Sequence, residues 1–66
     1  SALQNMNNGF PFYGLAIIAA RNGEESKLYE NLRKAITRNE FLRDRAAADF
    51  EFAAYHKKEG FKEVLR

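Results

Sequence analysis

The chain has no cysteine in its 66 residues. That excludes a disulfide framework and a thiolate metal site, two common staples of domains this short. A reducing, cytoplasmic setting is the expectation. Net charge is nearly absent as well: eleven basic and nine acidic residues leave +2. That balance does not by itself point to nucleic acid. Long apolar runs are missing too. The longest uncharged run, Ser1 to Ala20, includes Gln4, Asn5, Asn7 and Asn8. Its apolar part, Phe10 to Ala20, is only ~16 Å long as a helix, whereas a membrane span needs ~20 apolar residues. No basic segment precedes it, so neither a membrane partner nor a secretory signal is expected.

Catalytic constellations are equally scarce. His56 is the sole histidine. It has no Ser or Cys partner at a suggestive spacing and no second His for a metal, so a solvent-facing or helix-end role is expected. Glu40 and Asp44 are spaced i, i+4, as paired carboxylates can be. Arg43 and Arg45 are interleaved with them, so local ion pairs are the expectation. Asn22-Gly23 is an isolated turn signal without a phosphate loop around it. The chain is therefore not expected to be an enzyme, to hold a cofactor or metal, or to bind a small-molecule substrate.

What is present is helical patterning. A chain this short buries only ~60% of the surface its unfolded form exposes, so it makes one domain with a small core. Residues 1–9 read as a flexible arm and 10–66 as a single helical domain. Either Met6 serves as a start, in which case residues 1–5 are not native, or the whole is a fragment. A first helix is expected over 11–22. Pro11 suits the first turn, and Asn22-Gly23 is a stop, with Gly23 in the left-handed C′ position. Its apolar residues cover nearly every face, as in a helix buried all round, in this domain or by a partner. Gly14 inside it suggests a close approach of two helices.

A second helix is expected over 24–37. Glu24 and Glu25 suit its start, and Arg33, Lys34 and Arg38 its end. Leu28, Tyr29, Leu32, Ala35 and Ile36 form one apolar stripe. Thr37-Arg38-Asn39-Glu40 fits a capping box, with Asn39 as an alternative cap. A third helix is then expected over 38–59, ended by Gly60. A continuous rod through residue 39 is the alternative, since neither Gly nor Pro interrupts Glu24 to Glu59. At helical spacing the third helix shows two apolar stripes. Phe41, Ala48, Phe52 and Tyr55 form one; Leu42, Ala46, Phe50, Ala53 and Ala54 form the other. Two stripes imply cover on two sides. After Gly60, Phe61, Val64 and Leu65 have the spacing of a short turn folding back.

The expected fold is therefore all-α, a three-helix domain that can dimerise through its third helix. The expected function is a non-catalytic protein–protein interaction module: an adaptor, an inhibitor or an assembly factor. Tyr13, Phe41, Phe52, Tyr55 and Phe61 are the interface candidates, because aromatic side chains dominate interface hot spots. A second copy is one candidate partner.

The alternative is nucleic acid. Leu15 to Lys34 resembles a helix-turn-helix. Ala19 and Gly23 have the small-residue-to-glycine spacing, Ile18 precedes the alanine, and Tyr29 and Leu32 supply the second helix. Asn22 and Glu24 depart from the pattern, which favours apolar wedge residues there. The resemblance implies DNA contact through Lys27, Asn31, Arg33, Lys34 and Arg38. These last three bases begin the most basic stretch, Arg33 to Arg45.

Overall fold

The computed structural model describes residues 9–66. The expected arm lies outside them except for Gly9, and so does Met6. Every element among the described residues is helical, with no strand. The elements are α1 (Phe10–Asn22), α2 (Glu25–Arg38), α3 (Phe41–Ala48), a 3-10 helix (Phe50–Tyr55) and α4 (Glu59–Leu65).

The first two helices keep almost the expected bounds. Gly23 has φ 75°, in the left-handed region. Its N–H donates to Ala20 O at 3.3 Å, and the Glu24 N–H donates to Ala19 O at 2.9 Å. These two bonds make a Schellman stop. The chain then turns back, and α1 and α2 lie side by side. Gly9, before α1, meets Ala35 near the end of α2. Two helices whose far ends touch in this way run antiparallel, as an αα-hairpin. The apolar stripe of α2 is buried as expected at Leu28, Leu32, Ala35 and Ile36, with Tyr29 partly buried.

The chain breaks after α2, at Asn39 (φ −149°, ψ 102°). The cap there is Asn39 itself, whose Oδ1 accepts from the Phe41 N–H at 3.0 Å. Thr37 does not close the expected capping box. Its hydroxyl donates back to Arg33 O at 2.9 Å, inside α2.

The long third helix over 38–59 is not formed. As a straight rod of that length it would run ~33 Å, against ~20 Å for α1 and α2. The overhang would lie in water. Instead the segment folds back twice, at Asp49 (ψ 127°) and at Lys58 (ψ 139°). Asp49 makes the first break. Its Oδ1 accepts from the Glu51 N–H at 3.0 Å, a local bond that competes with helix continuation. Its Oδ2 accepts from the Tyr13 hydroxyl at 2.7 Å. The second break returns α4 to the core. Gly60 therefore lies within α4, not at the end of a long helix. A Cβ there would stand 2.6 Å from Cε2 of Tyr29, so the glycine permits α4 to approach α2.

The core joins all five segments. Phe52 and Phe61 are its largest fully buried side chains. Phe52 meets Tyr13 edge-on, with ring centroids 5.5 Å apart at 81°, and is tilted against Phe61 at 5.7 Å. Tyr55 donates to Ala20 O at 3.3 Å, and Arg21 is paired with Glu51. Both contacts tie the 3-10 helix to α1.

Gly14 has a different explanation from the one its sequence suggests. A Cβ placed on it meets nothing within 4 Å, so no close helix approach within the protomer requires it. Gly14→Ala is expected to raise stability by about 1 kcal/mol, the helix-propensity difference. In thermal denaturation that is an increase of about 4–8 °C. An unchanged or lower midpoint would contradict the open space.

Candidate functional site

Two exposed faces and one half-buried polar cluster are candidates. The first face is the outer side of α1. Pro11, Gly14, Leu15 and Ile18 are spaced i, i+3, i+4, i+7 and so share one side of the helix. Leu15 is 48% exposed and Ile18 56%. No charged residue occurs before Arg21. The helix is thus apolar all round, as expected, but its outer face is not covered by the other elements among the described residues.

The second face lies at the corner of α2 and α3. A groove lined by Phe12, Tyr29, Arg33, Lys34, Thr37 and Arg38 follows α2. A second depression, lined by Thr37, Arg38, Phe41 and Arg43 with the carboxylates of Glu40 and Asp44, continues it onto α3. Thr37 and Arg38 border both. The Arg38 guanidinium lies 4.9 Å from the centroid of the Phe12 ring and Lys34 Nζ lies 5.7 Å from it, a cation–π arrangement. Phe41 is 83% exposed.

The polar cluster sits between α1 and the break at Asp49. Burial, then the hydrogen bond to Asp49, pushes the Tyr13 hydroxyl above its ordinary pKa of 10.0. Burial disfavours the Asp49 charge. The Glu51 N–H, the Tyr13 hydroxyl and the fields of Arg45 and His56 outweigh it and hold this carboxyl below its ordinary 3.8. The Arg21 guanidinium holds Glu51 below 4.5. His56 Nε2 donates to Ala46 O at 3.1 Å, one of the last carbonyls of α3, which places it in a helix-end role. No group of three or more His, Asp or Glu side chains among the described residues is arranged to hold a metal ion. The cluster shapes the chain at the Asp49 break.

This cluster has a pH signature. Asp49 and Glu51 stabilise the fold above their ordinary pKa values of 3.8 and 4.5, and that contribution is lost as pH falls through the lowered ones. Tyr13 acts at the other end. Its contribution is complete below 10.0 and is lost as pH rises through its raised value. Asp49→Asn keeps a side-chain oxygen for the cap and removes the titration. The variant should lose stability less steeply than the parent below pH 3.8. Parallel acid-unfolding curves for the two proteins would refute a role for the Asp49 charge.

The structure divides the sequence candidates. Tyr13, Phe52 and Phe61 belong to the core, where their rings pack on one another and cannot meet a partner in the folded chain. Tyr55 is partly buried against the same core. Only Phe41 faces water. Sequence periodicity missed Leu15, Ile18 and Phe50 as exposed apolar residues, because it placed them on covered faces. The expected ion pairs of Glu40 and Asp44 do not form, since neither has a basic partner among the described residues.

Lys27, Asn31, Arg33, Lys34 and Arg38 all lie on α2, but Lys27 is paired with Glu24 and Lys34 with Glu30. The Asn31 amide donates to Lys27 O at 2.9 Å. The antiparallel packing of α1 and α2 also differs from the ~90–120° crossing of a helix-turn-helix. No helix among the described residues is long and apolar enough to cross a membrane. No protein-family model matches the chain, and neither the curated proteins nor the solved structures show a significant likeness to it.

Proposed function

We propose that this chain is a non-catalytic protein-interaction module that docks an α-helix of another protein on the outer face of α1. The observation that carries this is the uncharged stripe of Pro11, Gly14, Leu15 and Ile18, left open to water on a helix otherwise packed into the core. Exposed apolar stripes of this kind mark interaction sites. Gly14 adds to it. Glycine costs about 1 kcal/mol in a helix interior. No contact inside the protomer gains from that cost, whereas another backbone could approach at the same point.

A second copy is the simplest such partner. Two uncharged faces meet without like-charge repulsion. Light scattering would then give a mass near twice 7.6 kDa. The test of the main proposal compares the parent with Ile18→Glu. Ile18 is exposed, so the variant should keep its helicity and melting midpoint. It should also lose the partner, or the self-association, that the parent shows. Identical captured proteins and identical mass for the two chains would overturn the proposal.

A further inference from the structure

We propose a second docking site, separate from the α1 stripe: the groove at the α2–α3 corner takes an acidic peptide segment of a partner protein, with an apolar side chain placed on Phe41. The ion-pair pattern is the first reason. Six ion pairs form among the described residues, through Arg21, Lys27, Lys34, Lys58, Lys62 and Arg66. Of the five bases without one, Arg33, Arg38 and Arg43 line this one surface, and Arg45 and Lys57 lie off it. Residues 1–8 contain no carboxylate that could neutralise them. Three guanidinium groups are therefore left for carboxylates from outside, which match their planar fork two oxygens at a time.

Arg43 gives the second reason. Its Nε is buried and has no hydrogen-bond partner; it is the one such side-chain atom among the described residues. A buried donor without an acceptor destabilises the fold. Arg43 itself lines the same groove. The third reason is Phe41 beside it, 83% exposed and adjacent to Arg38 and Arg43 along the groove. A bare aromatic ring between cations suits an apolar side chain flanked by carboxylates.

The same surface argues against a nucleic-acid backbone. Glu30 lines the α2 groove, and Glu40 and Asp44 line its continuation. A phosphate strand brings charge of one sign at every step and would meet these carboxylates. A peptide can set its acidic residues opposite Arg38 and Arg43 and leave other positions neutral.

The probe is a fluorescently labelled peptide of alternating Glu and Leu, read by anisotropy at low salt. The controls are the same peptide with Gln for Glu, and a labelled oligothymidylate. The Glu peptide should bind, and binding should weaken as salt is added. The double variant Arg38→Gln, Arg43→Gln should weaken it by about tenfold or more, since it removes charge-assisted hydrogen bonds. Phe41→Ala should weaken it as well, and because the ring is exposed this variant should keep the parental melting midpoint. Ile18→Glu should leave peptide binding unchanged, which separates this groove from the α1 face. Absence of binding by the Glu peptide, equal binding by the Gln peptide, or binding unaffected in the double variant would each overturn the proposal. Tighter binding of the oligothymidylate would overturn it in favour of nucleic acid.

Discussion

Phe52→Ala is expected to leave the chain largely unfolded at room temperature. Phe52 is 0% exposed and is the hinge of the aromatic core, with Tyr13 on one side and Phe61 on the other. Phe→Ala at such a site costs about 3–5 kcal/mol, the lost transfer energy plus the cavity left behind. A domain of this length holds about 3–10 kcal/mol in all. The substitution therefore removes most or all of the margin. The consequences are also non-local. Phe52 carries the contact between α1 and α4, so its loss unseats both. Far-UV circular dichroism and a urea titration would show it, as a lost or strongly shifted transition. Phe50→Ala is the matched control. Phe50 is 92% exposed, two residues away, and its truncation should change stability by no more than about 0.5 kcal/mol. A Phe52→Ala midpoint close to that of Phe50→Ala would overturn the assignment of the core.

That contrast also shows where sequence was sufficient and where it was not. For α1 and α2 the signals are local. Pro11, Asn22-Gly23, the acidic start and the spacing of Leu28, Leu32, Ala35 and Ile36 all act within one or two turns, and the structure follows them to within a residue. Residues 38–59 are different. Periodicity assigned both Phe50 and Phe52 to covered stripes because it assumed one unbroken helix. The break comes at Asp49, which is neither Gly nor Pro. Asp49 Oδ1 makes the local cap, and the Tyr13 hydroxyl, 36 positions away in the chain, holds Oδ2. A long-range bond of that kind leaves no mark on local spacing. The same holds for Gly60, whose reason is the ring of Tyr29 and not a helix end. The candidate faces were legible only in part. The basic stretch from Arg33 to Arg45 was visible, but the lack of carboxylate partners at Arg33, Arg38 and Arg43 was not. Leu15 and Ile18 looked like core residues because a helix that is apolar all round gives no sign of which side stays open.

Gly9→Ala is expected to destabilise the chain by about 3 kcal/mol or more, from two sources that add at one atom. Gly9 has φ 90°, a conformation that costs an L-residue about 1–2 kcal/mol. A Cβ built there would lie 2.4 Å from the Ala35 carbonyl oxygen and 3.1 Å from Leu42 Cδ1. The oxygen is backbone, held in α2, and accepts from the Asn39 N–H at 2.9 Å. It cannot turn aside as a side chain would. The start of α1 would have to lift away from α2 and α3. That would also strain the bond from the Tyr13 N–H to Gly9 O, 3.0 Å long, one turn below the Tyr13–Asp49 contact. At about 4–8 °C per kcal/mol, the midpoint should fall by more than about 12 °C. Gly9→Asn separates the two causes, because Asn tolerates positive φ better than Ala but still carries a Cβ. If the contact with Ala35 dominates, Asn should be nearly as damaging as Ala. A near-parental midpoint for Gly9→Asn would mean that dihedral strain alone sets the requirement, and that the α1–α2 packing at this end is looser than the 2.4 Å approach indicates.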